Sequence, residues 1–291
     1  MDHASLAHVS SLSPFPGALP ARLSSQSIAL LEKDLACDYL LDEIVPGNPL
    51  VISFNYFTQL EYDFFGRLRK LEETLGTQFN RIMLRDRHHA WYQRGVFGLG
   101  DSVDAVAAAL RPIIATMRPS KIITIGQSMG AYAAVLFGML LDADKVIAYG
   151  PLSYIRHDWI ARDNDIRWLS LFKLLADDRP EKCYDDLLAL AATRASLPVM
   201  EILTGTNPDG TGGIANMDLL HARRFATLPQ VRSLEYPESR HEIVIWLKEH
   251  KLIDTLLYDM IAPLCTPGDG VSSCQVRSEN QLCQGSIRHV S

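Results

Sequence analysis

No stretch of the chain approaches the roughly 18 or more consecutive apolar residues that cross a bilayer, so no membrane span is expected. Cysteine is scarce and badly placed for pairing. The five residues Cys37, Cys183, Cys265, Cys274 and Cys283 are odd in number and make no C-x-x-C pair, which argues against a disulfide framework and points to free thiols. The last three lie nine apart, whereas zinc sites use much closer pairs. Positive charge is also in short supply. With 28 Lys and Arg against 34 Asp and Glu, the net charge of -6 gives no electrostatic case for nucleic acid or an anionic membrane. The first residues lack a basic region followed by an apolar core, so no secretory signal is readable and a cytoplasmic location is the default expectation. No internal repeat is visible.

What is present is an ordinary globular composition. In 291 residues that are 47% hydrophobic and 21% charged, a full core can be buried by one large α/β domain or two small ones. Residues 1–26 are rich in Ser, Pro and Ala and predict a flexible leader, while 27–262 carry the periodic elements of one domain. Beyond Pro263 the Gly-, Ser- and Gln-rich sequence predicts a disordered tail over 263–291.

Within 27–262, Ile28, Leu31, Leu35, Leu40, Leu41 and Ile44 recur near helical spacing and predict a helix up to about Val45. Short apolar runs then alternate with helical patterns. Leu50 to Phe54, Asn80 to Leu84, Ile122 to Ile125, Lys145 to Tyr149, Leu197 to Thr204 and Val231 to Tyr236 read as six strands. Helices are expected near Asp63 to Leu75, from an Asp101 cap to Met117, after Ser128, near Asp218 to Thr227, and as one closing helix from His241 to Ile261. The segment 151–196 is too long for a simple crossover and predicts a helical cap insertion. Strand alternating with helix implies an α/β fold with a doubly wound, mostly parallel sheet, whose right-handed crossovers gather the loops after each strand at one edge.

At the centre of this pattern stands Lys121 to Leu141, KIITIGQSMGAYAAVLFGMLL. A β-branched run passes abruptly into an Ala- and Leu-rich helix through Gly126-Gln127-Ser128-Met129-Gly130. This G-x-S-x-G turn holds a serine clear of the sheet, and Cβ atoms at the two glycines would strike the neighbouring strand or helix. A serine hydroxyl needs a base, and the chain order Ser, acid, His makes His241, just after the last strand, the natural one. Its acid should come from the loop after the fifth strand, where Asp209 and Asp218 compete. Asp209 sits in ordinary Pro-Asp-Gly turn chemistry, and Asp218 stands where a helix N-cap would. Two oxyanion donors are expected from the N–H of Met129 and from Asn55 or Tyr56 after the first strand. The loop after Leu84 is dense in unusual side chains, and Arg85, Asp86, Trp91 and Tyr92, with Gln127, are expected to line the pocket. Arg85 and Asp86 equally suit a buried ion pair bracing that loop. His88 and His89 lack further ligands at metal spacing, so no metal and no cofactor are expected.

Gly126, Ser128 and Gly130 in this strand order resemble the α/β-hydrolase superfamily over roughly residues 48 to 262. More narrowly, RDRHHAWYQRGV, GQSMGAYAAVLFG, the D-x-x-H-A of Asp218 to Ala222 and the H-E-x-x-x-W-L of His241 to Leu247 resemble poorly characterised bacterial α/β-hydrolases, some of which accompany glycan-modifying enzymes. That resemblance implies an α/β-hydrolase fold and a serine hydrolase of the esterase class acting through an acyl-enzyme, and it favours Asp218 as the acid. The implied partner is a small-molecule or glycan ester, with no nucleic acid. An acyltransferase or thioesterase on the same triad, or a binding protein retaining the fold without turnover, are the competing expectations. No β-hairpin is legible ahead of the first parallel strand.

Overall fold

The computed structural model describes residues 38–42, 45–57, 62, 64–177, 184–207, 217–265 and 288–290. The described elements are, in chain order, β1 (Tyr39–Asp42), β2 (Leu50–Phe54), α1 (Phe65–Leu75), β3 (Asn80–Leu84), α2 (Val103–Met117), β4 (Ile122–Gln127), α3 (Met129–Leu140), β5 (Lys145–Tyr149), α4 (His157–Arg162), α5 (Leu169–Asp177), α6 (Leu187–Ala192), β6 (Val199–Gly205), α7 (Met217–Phe225), β7 (Val231–Tyr236), α8 (Ile243–Glu249), α9 (Ile253–Cys265) and β8 (Arg288–Val290). The strands form one sheet in the order β1-β3-β2-β4-β5-β6-β7-β8. β2 to β7 are mutually parallel, and β1 and β8 close the two edges antiparallel to β3 and β7.

Parallel strands are covered on both faces, which is why they read as continuous apolar runs. Along β2, Leu50, Ile52 and Phe54 enter one core with α2, α3, α6 and α7, while Val51 points to the other with α1, α8 and α9. Helix α3 has every residue from Met129 to Leu140 buried, as a helix apolar on all sides must be. The chain leaves β2 for β3 on one side, then crosses back to β4 on the other. Strand order therefore reverses between β2 and β4, the place where such sheets open a crevice at their carboxyl ends.

The structure corrects several expectations. The helix expected up to Val45 is, over Tyr39–Asp42, the antiparallel edge strand β1, with its side chains alternately half-buried and buried. Asp42 at its end is tied to Arg81 of β3, whose guanidinium also holds Glu72 of α1 at 3.1 Å, and none of the three side chains is more than 4% exposed. The cap of α2 is Ser102, whose hydroxyl accepts from the Ala105 N–H at 3.2 Å, and not Asp101. The single closing helix is two. Lys251 is left-handed, the Lys251 N–H bonds Lys248 O and the Leu252 N–H bonds Leu247 O, a Schellman ending without the usual glycine. Helix α9 continues through Pro263 to Cys265, and Arg288–Val290, inside the stretch expected to be disordered, pairs with the otherwise open edge of β7. Of the cysteines only Cys265 lies among the described residues, as a free thiol. The leader 1–26 lies outside them. Among the described residues no helix is long and apolar enough to cross a membrane.

Candidate active site

The turn between β4 and α3 is tight enough to dictate its glycines. A Cβ on Gly126 would lie 2.2 Å from Gly130 O, and one on Gly130 would lie 2.1 Å from Phe54 O of β2. Between them Ser128 is forced to φ 53°, ψ -117°, a conformation costly for an L-residue and characteristic of a side chain held out for use. Its N–H is anchored to Tyr149 O of β5 at 2.8 Å, and the next N–H, that of Met129, opens α3 with no acceptor inside the helix.

The Ser128 Oγ lies 2.8 Å from His241 Nε2, and His241 Nδ1 lies 2.6 Å from Asp218 Oδ2. An ionised carboxylate can only accept, so the Nδ1 proton points at Asp218 and the Nε2 lone pair is left to receive the serine proton. Asp218 is not a cap: it is the second residue of α7, 1% exposed. Its other oxygen, Oδ1, accepts from Arg167 Nη1 at 2.7 Å. Burial pushes the Asp218 carboxyl up, but His241 and Arg167 outweigh it and hold the group well below the usual carboxylate range. Burial pushes the imidazole of His241 down, and the charge and hydrogen bond of Asp218 reverse that, raising it above the ordinary histidine value. The alternative acid, Asp209, lies outside the described residues.

His241 does not begin α8; it precedes the first helical residue by two, in a loop pressed against the end of β6. A Cβ on Gly205 would lie 2.0 Å from Arg240 O, so only glycine lets that loop close. Gly205→Ala is therefore expected to displace His241 from Ser128. On the ester-cleaving reading proposed below, an ester assay should show kcat/KM reduced by about 100-fold, in line with the penalty for misplacing a catalytic group by about 1 Å.

The oxyanion donors divide. The Asn55 N–H is already bonded to Leu84 O at 3.0 Å, which removes that backbone donor from the expected pair and leaves Tyr56 beside Met129 as the candidate. The loop after β3 departs further from expectation. Consecutive residues at a strand end point to opposite sides, so Arg85 and Asp86 do not pair. Arg85 approaches Asp38 at 3.5 Å and lies over the ring of Tyr62. Asp86 instead accepts the N–H groups of His88, Ala90 and Tyr92 at 2.8 to 2.9 Å, holding His89, Trp91 and Tyr92 in left-handed backbone. Burial pushes the Asp86 carboxyl up against the pull of those donors. Arg85, Asp86, Trp91, Tyr92 and Gln127 are all buried. Trp91 packs on Phe172 of α5 at 4.4 Å between centroids, and the Tyr92 hydroxyl donates to Leu84 O. Half-buried Phe57 and Trp168 lie 4.9 Å apart and bring the insertion onto the loop after β2.

Sequence reasoning missed Arg167, Asp165 and Ser153, and gave His221 no role. Buried His221 accepts the Ser153 N–H on Nδ1 at 3.0 Å, and burial takes its pKa down to about 4, so it stays a neutral imidazole. Its 4.0 Å approach to Asp165 is accordingly no ion pair. The D-x-x-H-A run marked His221 as a position of interest without showing its contacts; nothing local marked Arg167, 51 residues from Asp218. Among the described residues no cluster of three or more His, Cys, Asp or Glu is placed to hold a metal ion.

No protein-family model matches the chain. No curated protein matches it. Solved structures do. The capsule O-acetyltransferase of Neisseria meningitidis serogroup A aligns with a TM-score of 0.51 at 14% identity, over 77% of this chain and 92% of that one. The thermostable carboxylesterase EstE1, cloned from a metagenomic library, gives 0.52 at 14% identity, over 79% and 85% of the two chains. Acetyl xylan esterase 1 from Thermoanaerobacterium sp. gives 0.52 at 14% identity, over 78% of each. At such identities the likeness establishes architecture, and the architecture is the α/β-hydrolase fold.

Proposed function

We propose that the protein is a serine hydrolase that cleaves carboxylic esters through an acyl-enzyme, with Ser128 as nucleophile, His241 as base and Asp218 as the acid that orients it. The observation that carries this reading is the continuous chain Ser128 Oγ to His241 Nε2 at 2.8 Å and His241 Nδ1 to Asp218 Oδ2 at 2.6 Å. Ser128 Oγ attacks the ester carbon as its proton passes to Nε2. The oxyanion that forms is met by the N–H groups of Met129 and Tyr56. Collapse expels the alcohol, which takes the proton back from Nε2, and a water molecule repeats the sequence to release the acid. Every proton in this scheme moves through His241, and no cofactor is called on.

A fluorophosphonate probe tests the reading. It should label the wild-type chain and spare Ser128→Ala; equal labelling of both proteins would remove Ser128 from its role. Transfer of the acyl group to a hydroxyl other than water's is the second reading. It is favoured by the insertion that supplies Arg167 to Asp218 also packing Trp168 against Phe57 of the loop after β2, since a covered site favours transfer over hydrolysis. The fold shared with a capsule O-acetyltransferase, itself named for moving an acetyl group, is consistent with it. The two readings part on whether added alcohols appear acylated among the products.

A further inference from the structure

The insertion between β5 and β6 does more than lie near the site: it contributes one side chain to the acid. Arg167 stands between α4 and α5, and its fork grips Asp165, Nε to Oδ1 at 2.8 Å and Nη2 to Oδ2 at 2.6 Å, with the Arg167 N–H reaching Oδ1 as well at 3.3 Å. The remaining Nη1 reaches across to Asp218. Asp165 and Asp218 are each 1% exposed, so both carboxylates depend on this guanidinium for compensation in a water-poor setting.

The charge arithmetic is specific. An arginine alone on Asp218 would neutralise the acid and weaken His241 as a base. Asp165 cancels that charge, so Arg167 can fix the geometry of Asp218 while the cluster of Asp165, Arg167 and Asp218 keeps a net charge of about -1, from formal charges at neutral pH. That charge remains to stabilise the imidazolium formed as Ser128 attacks. The adjacent Glu242 also raises His241, and Arg224 and the neutral His221 face the carboxylate cluster from α7.

We propose that Arg167 is a positioning residue of the triad, carried by the insertion and balanced by Asp165, so that Asp218 is aimed and His241 is tuned only when the insertion is docked. The proposal rests on the hydrolase reading for its role in turnover, but its electrostatic core does not. The test therefore follows the His241 imidazole by NMR titration, its resonance identified by loss in His241→Gln, alongside the pH dependence of kcat/KM on a simple ester.

Arg167→Gln removes the nearest positive charge, and the His241 midpoint should rise by about one pH unit. Asp165→Asn leaves Arg167 uncompensated, and the midpoint should fall by a similar amount. Arg167→Lys keeps the charge without the fork, and should retain the wild-type midpoint with kcat about tenfold lower, a typical cost of lost positioning. General loosening of the fold would not produce shifts of opposite sign. Unchanged midpoints, or shifts of the same sign in both variants, overturn the proposal. If Arg167→Gln does not fold, Asp165→Asn decides alone: a falling midpoint upholds the proposal, and a fixed or rising one ends it. A protein that shows the opposite shifts yet takes no fluorophosphonate label would refute the hydrolase reading while leaving the Arg167 assignment intact.

Discussion

Asp218→Asn is expected to lower kcat on a simple ester by about four orders of magnitude, the scale on which a triad acid acts through tautomer control. The carboxylate accepts from His241 Nδ1 at 2.6 Å and from Arg167 Nη1 at 2.7 Å. An asparagine has the same shape but brings an NH2 group. Arg167 can only donate, so the amide oxygen turns to Arg167 and the NH2 turns to His241. Nδ1 must then accept, the ring proton moves to Nε2, and Nε2 can no longer take the proton of Ser128. KM should stay near wild type, since the packing is unchanged, while the melting temperature should fall, because the buried carboxylate that Arg167 and His241 stabilise is gone. Steady-state kinetics and a thermal melt check both halves. A variant that keeps even a tenth of the wild-type kcat would return the acid to Asp209.

The largest expected loss of stability comes from the opposite side of the sheet. Arg81 is wholly buried and holds Asp42 Oδ2 at 2.7 Å and Glu72 Oε2 at 3.1 Å, while Glu72 Oε1 accepts the Phe79 N–H at 2.7 Å. Removing one partner of a buried ion cluster leaves charge without compensation, at a cost of about 3 to 5 kcal/mol. Arg81→Ala should therefore lower the free energy of unfolding in denaturant by that amount, a large share of the about 5 to 15 kcal/mol that holds most domains together. Replacing Asp42, Glu72 and Arg81 together by apolar residues of similar volume should recover most of the loss, because the desolvation cost then disappears with the charges.

How much of this was legible in the sequence follows from how local each signal is. The inner strands were, because burial on both faces leaves an unbroken apolar run such as Leu50 to Phe54. The nucleophile turn was, because its two glycines are demanded by backbone atoms within the motif and on β2. Order after the last strands pointed to His241 but left Asp209 and Asp218 in competition, and only the resemblance favoured Asp218. The edge strand was not: Leu40 and Leu41 fall in step with the leucines before them, and what makes Tyr39–Asp42 a strand is its pairing with β3, some forty residues away. The break in the closing helix was hidden because Lys251 takes the left-handed turn that glycine usually signals. Arg85 and Asp86 looked like a pair by adjacency, but alternation at a strand end separates them. Arg167 had no sequence signal at all, since its meaning depends on Asp218 across the fold.

The order of the elements along the chain also fixes when the proposed triad can form. Synthesis delivers Ser128 while β6, β7 and the segment bearing the imidazole are still to come. A nascent chain stopped anywhere short of residue 241 carries the hydroxyl without its proton acceptor. On the proposed reading, reactivity is withheld from such fragments until β7 and the loop after it are in place.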